Sequence, residues 1–142
     1  MITDKTKRKV ALFLKEFLGV GTTKLGTGGG GTNPTATDLD VPLSTTASNT
    51  ATSSDDKVIE IKSSFTGTNL QGYTIREVGF FGNMATDTEM GDIESDGSFN
   101  ADAADATNAN NENMMYSRIN FNAIGNFSTT DVIDIIYTME VE

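Results

Sequence analysis

Every second residue from Ile133 to Val141 is apolar: Ile133, Ile135, Tyr137, Met139 and Val141. Asp134, Thr138 and Glu140 share the other side with Val132 and Ile136. This alternation predicts a half-buried antiparallel strand. At about 25 cal/mol per Å² of apolar area, such a row contributes several kcal/mol before ordering costs are subtracted. The same period runs through 73–81. It places Tyr73, Ile75, Glu77, Gly79 and Phe81 on one face and Thr74, Arg76, Val78 and Phe80 on the other. Val58, Ile59, Ile61 and Phe65 form a further β-rich run that Gly67 ends, and it is expected to pair with 73–81 as a hairpin. Tyr116 to Ile124 follows, with Ile119 and Phe121 on one face. A sheet with one apolar face needs a second layer. The expected fold is therefore all-β: an antiparallel β-sandwich with an N-terminal helix at its edge and a long acidic loop excursion. Uncovered strand edges invite oligomerisation.

The 142 residues suit one domain, 1–142. Residues 4–18 read as a helix, because Val10, Phe13, Leu14, Phe17 and Leu18 form one apolar stripe. Its polar face is basic. The helix either lies over the β core or docks on a neighbour, its basic face meeting an acidic one. Residues 19–56 are rich in Gly, Thr and Ser; Leu39, Val41 and Leu43 alternate as a short edge strand, and Ser44–Asp56 reads as a polar connection. The glycine run 28–31 lacks the Gly-Lys-Ser/Thr ending of a phosphate loop, so it reads as a turn or partner-contacting loop. Segments 57–81 and 116–141 form the main β core. Between them, 82–115 holds eight acids and no basic residue, and reads as an acidic excursion.

The chain has no cysteine and no histidine, which removes disulfides, thiolate chemistry, and the commonest general base and zinc ligand near neutral pH. Its net charge is -10, and the sign is segregated. Residues 1–24 hold six basic groups and two acids; the rest holds four basic groups and eighteen acids. Such a field repels nucleic acid and anionic lipid, so neither nucleic-acid binding nor membrane insertion is expected. No apolar run is long enough to span a membrane, and the start lacks a signal peptide's apolar block. The acidic surface suits a high-salt environment, as in a halophilic host, and equally an acidic domain of a mesophile.

Two constellations could carry chemistry. Glu60 and Glu77 fall on neighbouring expected strands, and paired carboxylates are the minimal glycosidase device. Without an implied cleft, Glu77 reads better as half of a buried ion pair, with Arg118 as its candidate partner. The chain is expected not to be an enzyme, and no cofactor is expected apart from a candidate Ca²⁺ site. That site is the run 92–98, which sets Asp92, Glu94 and Asp96 at alternate positions before Gly97. Ser98 and Asn100 continue it, and Asp87, Glu89 and Asp102 could complete it. Alternate acids around a tight turn can aim hard oxygens at one cation, but position twelve is Ala103 where a bidentate Glu is wanted.

Three blocks then carry a resemblance. They are FLGVGTTKLGTGGGGTNPTATDLDVPL (17–43), GYTIREVGFFG (72–82) and MMYSRINFNAIGNFSTTDVIDIIYTMEV (114–141). Together they resemble the N-terminal, particle-attaching part of phage tail-collar and tail-fibre proteins. The middle block is the most specific. The resemblance implies a virion component of the tail or baseplate that anchors a fibre or a neighbouring tail protein. It further implies a cyclic homo-oligomer such as a trimer. Arg76, Glu77, Gly79 and Arg118 fall on the matching positions and would be structural; Phe13 and Phe17 are the helix's candidate interface residues. Two departures stand out: a long acidic excursion replaces the family's short turn, and the chain carries no fibre shaft. A capsid decoration or turret protein, and a glycan- or receptor-binding β module, are the alternatives.

Overall fold

The computed structural model describes residues 1–29, 36–55, 57–85 and 111–142. Helix α1 spans Asp4–Gly19. Thr3 caps it, its side chain accepting the Thr6 N–H, and Asp4 sits favourably in the first turn. Most of the apolar stripe turns inward: Phe17 and Leu18 are buried with Ala11 beside them, Phe13 and Leu14 are half-buried, and Val10 is exposed with Lys5, Arg8 and Lys9.

Seven strands follow among the described residues. They are β1 (Thr22–Gly26), β2 (Pro42–Ser48), β3 (Thr50–Asp55), β4 (Val58–Thr66), β5 (Ile75–Ala85), β6 (Asn111–Ile124) and β7 (Val132–Glu140). A one-turn helix, α2 (Gly67–Leu70), joins β4 to β5. The strands build two separate antiparallel sheets, ordered β2-β1-β5-β6 and β3-β4-β7.

This corrects the expected fold class and the β-sandwich description. The fold is mixed α/β, with a four-stranded sheet, a three-stranded sheet and two helices; neither a closed barrel nor a true sandwich topology forms among the described residues. The physical reason is α1. The inward row of β4 is divided between two covers. Phe65 joins a cluster with Leu25, Ile75, Val78 and Phe80 of the other sheet, against which Ile133 and Ile135 also pack. Ile59 and Ile61 instead join Ala11, Phe17 and Leu18 of the helix, with Met139 and Val141 against them. Tyr137 touches both clusters and stacks on Phe80, ring centroids 4.4 Å apart. Each such side chain is worth about 1.5–3 kcal/mol on burial, so the helix is a structural layer rather than an edge ornament.

Other expectations change as well. β4 and β5 are not a hairpin; they lie in different sheets. The connection between them turns through α2 and Gly72, whose φ of 85° suits glycine, and Tyr73 N–H returns to the Leu70 carbonyl. Register shifts between Ile75 and Glu77, so Ile75 crosses to the Val78 and Phe80 face and Arg76 is left exposed. The expected polar connection 44–56 is mostly β2 and β3. In β2 the half-buried residues are Leu43, Thr45 and Ala47, a period of two written in small side chains. The expected 82–115 excursion begins and ends as strand, since Gly82 to Ala85 pair with Met114 to Asn111.

Asn49 fixes the corner where the chain leaves one sheet for the other. It is buried, its Nδ2 donates to the Leu18 and Phe81 carbonyls, and its Oδ1 accepts from Thr23 Oγ1 at 2.6 Å. Its own N–H donates to the Gly21 carbonyl. One side chain thereby ties the end of α1 to β1 and β5.

Candidate interaction surfaces

The outer face of the four-stranded sheet is built around Glu77, which is 0% exposed. Residues 38–41 cross this face as a strap. Glu77 Oε1 accepts the Val41 N–H at 2.9 Å, and Oε2 accepts the Asp40 N–H at 3.2 Å. Hydrogen bonds to an ionised acceptor are about twice as strong as neutral ones, which offsets part of the cost of burying the group. Gly26 lies on the paired strand opposite Glu77; a Cβ there would collide with the Glu77 carboxylate. Leu39 is buried over Gly79, its Cδ2 3.0 Å from where a Cβ would stand.

Two ion pairs pin the strap. Lys24 Nζ sits 3.2 Å from Asp38 and 4.7 Å above the Phe81 ring. Arg118, only 8% exposed, reaches Asp40 at 3.1 Å. Arg118 pairs in register with Gly79, so Glu77, Gly79 and Arg118 converge on one short segment. Arg76 lies exposed beside this group.

The other candidate residues are dispersed. Glu60 is exposed on β4 while Glu77 is buried on β5, and the two strands belong to different sheets, so the carboxylates do not line a common cleft. Phe17 is buried against Ile59 and Ile61; Phe13 stacks on it at 6.1 Å and packs against the same cluster. Asp92, Glu94, Asp96, Ser98 and Asn100 lie outside the described residues, as do Asp87, Glu89 and Asp102. Among the described residues no three His, Cys, Asp or Glu side chains gather to hold a metal ion. No helix of the described residues is long and apolar enough to cross a membrane.

A second region is open among the described residues. β6 and β7 are edge strands of separate sheets. A small apolar cleft lies at their ends, lined by Ile75, Phe121, Phe127, Ile133 and Ile135 among others. Further along, the Tyr116 hydroxyl reaches Met139 Sδ at 3.5 Å. Burial, followed by the charge of Tyr137, raises the Tyr116 phenol above its ordinary value of 10.0. The outward side of β7 carries Val132 and Ile136, 69% and 58% exposed.

Sequence reasoning missed Asn49, Asp38 and Asp40. The available signal was an Asp-Leu-Asp triplet shortly before Pro42, polar residues flanking one apolar anchor in a segment biased toward extended geometry. Comparison with protein-family models gives no match, and comparison with curated proteins gives none either. Neither comparison supplies a viral, tail, baseplate or homo-oligomer identity; the tail resemblance rests on the residue motifs alone.

Proposed function

We propose that this chain is a non-enzymatic structural adaptor of a viral tail or baseplate, anchoring a fibre or a neighbouring tail component. One observation carries the reading. The three sequence blocks that resemble tail-attachment domains meet on a single sheet face. The first block supplies Lys24 and the 38–41 strap, the second Glu77 and Gly79, and the third Arg118. Residues scattered from 24 to 118 thus close one clasp. A rigid clasped face beside open strand edges suits a protein whose work is contact.

The test is the location of the chain in a reconstructed particle, with binding to purified tail and baseplate proteins measured in native salt. Density at a junction between tail components, and saturable binding to one of them, is the expected result. Absence from the particle together with no binding to any virion component would overturn the proposal. Density on the capsid surface would replace it with a decoration role.

A further inference from the structure

We propose that two copies of this chain join through β7 of each, antiparallel about a two-fold axis at Ile136. The two three-stranded sheets then become one sheet of six strands. This goes beyond the adaptor role, which names no contact.

The first argument compares edges. Among the described residues four strands, β2, β3, β6 and β7, border the two sheets. Exposed edges are commonly protected by proline, bulges or charge. β2 opens on Pro42, and its pairing shifts between Lys24 and Gly26. β3 shifts against β4 between Thr52 and Asp55. β6 shifts twice against β5. Among the described residues, β7 alone has neither proline nor bulge, its only protection being the charges of Asp134 and Glu140: it pairs with β4 without interruption from Val58↔Glu140 to Thr66↔Val132. Its far side is a straight row of backbone donors and acceptors with no strand beside it among the described residues. Exposed Val132 and Ile136 stand on the adjoining face.

The second argument is the side-chain pattern of β7: its inner apolar row continues into a second copy of the same strand, and charge narrows the register. Residues opposite one another in an antiparallel pair share a face, so the two-fold axis must pass through a residue to set inner row against inner row. Like charges directly opposite are unfavourable. An axis through Asp134 opposes that acid to itself. An axis through Tyr137 opposes Asp134 to Glu140, and one through Thr138 opposes it to Glu142. Axes at Ile135 and Ile136 avoid all of these. Ile136 is the midpoint of Val132–Glu140, so its axis pairs the whole strand. It sets Ile136 against Ile136, Asp134 against Thr138 and Val132 against Glu140 of the second copy. On the inner face, Ile133 meets Met139 and Ile135 meets Tyr137. In this register no like charges face one another across the junction, and the inner apolar row runs through it. Each copy carries net charge -10, so added salt should strengthen the contact by screening the repulsion.

Sedimentation equilibrium on the intact chain tests this. The expected mass is twice that of one chain, with the dimer favoured as salt rises. Ile136→Lys and Ile136→Glu alone should each weaken association at least about tenfold, because like charges meet at the axis. An equimolar mixture of the two should recover it. Far-UV circular dichroism confirms that each variant stays folded, as the exposure of Ile136 predicts. Because the chain has no cysteine, Ile136→Cys should give a disulfide-linked dimer under mild oxidant, and Ser64→Cys on the neighbouring strand should not.

A folded wild-type chain that stays monomeric at high salt overturns the proposal. So does Ile136→Lys tightening the dimer, since an axis at Ile135 would place that lysine against Asp134. Equal crosslinking at Ser64 overturns it as well. A monomer that still binds a tail component removes the dimer and leaves the adaptor role standing; a β7 dimer that binds none does the reverse.

Discussion

The outer face of the four-stranded sheet carries Glu77, Gly79 and Phe81 beneath residues 38–41. The outer face of the three-stranded sheet carries Lys62, Ser64, Asp134 and Ile136, and among the described residues no segment crosses it. Both faces contain carboxylates, but they use them differently. Glu77 is buried and holds backbone N–H groups. Asp134 stays near solvent, accepts from Ser64 Oγ at 2.5 Å and lies 3.7 Å from Lys62. A buried carboxylate with backbone donors commits its face to folding, because removing it strands the donors. An exposed carboxylate in a loose ion pair commits little, since such pairs are worth about 0–1 kcal/mol. The first face is spent inside the molecule and the second remains available to a partner.

Substitution at the clasp should produce the largest effect. Glu77→Ala leaves the Asp40 and Val41 N–H groups without their acceptor and should destabilise the fold by about 2–4 kcal/mol. Glu77→Gln keeps one acceptor oxygen and turns an amide toward the other donor; it should cost less, about 1–2 kcal/mol. Urea midpoints at constant slope measure both. Equal stability of Glu77→Ala and wild type would mean that the strap is not held by this carboxylate. Leu39→Ala comes next, at about 2 kcal/mol, the low end for a buried leucine because the strap can settle onto Gly79. A gain in protease cleavage confined to residues near 36–41 would locate the loss in the strap rather than in the two clusters.

How much of this contrast could be read from residues alone depends on what makes each element. The helix was legible because Val10, Phe13, Leu14, Phe17 and Leu18 repeat at helical spacing. β7 was legible because its inner row is large and apolar. β1, β2 and β3 were not, because Leu25 and Leu43 stand isolated among inward positions that are otherwise Thr23, Thr45, Ala47 and Ala51, which carry little hydrophobic signal. Their pairing is dictated by neighbours: β5 beside β1, and β4 beside β3. The assignment of β4 and β5 to one hairpin failed because short α2 and Gly72 redirect the chain between sheets, and local periodicity does not report such a crossing. The clasp was half legible. Glu77 sharing an expected face with apolar residues signalled a need for a partner, but its partners are backbone N–H groups of residues 40 and 41, which no side-chain pattern encodes.

On the open face the expected changes are small. Val132→Thr should alter stability by no more than about 0.5 kcal/mol, since the residue is exposed and threonine keeps the β-branched shape. The same substitution should still weaken association through β7. A large loss of stability would show that this edge belongs to the interior after all, and would erase the contrast with the clasp.

The gap between β6 and β7 provides the finest probe, because Tyr116 is intermediate between the two regimes. It is 40% exposed, yet burial and the Tyr137 charge raise its phenol above 10.0. A raised folded-state value means that the neutral phenol is favoured in the native protein. As pH rises, the unfolded chain releases this proton first, so the stability it contributes is complete below about 10 and falls as pH climbs through the folded value. Tyrosinate absorbance should therefore include a contribution above the ordinary value that Tyr116→Phe removes. Tyr116 titrating at its ordinary value would mean that water fills the gap freely. Closure of a second copy over β7, if it narrows that gap, should delay the Tyr116 step further in the dimer than in the Ile136→Glu monomer.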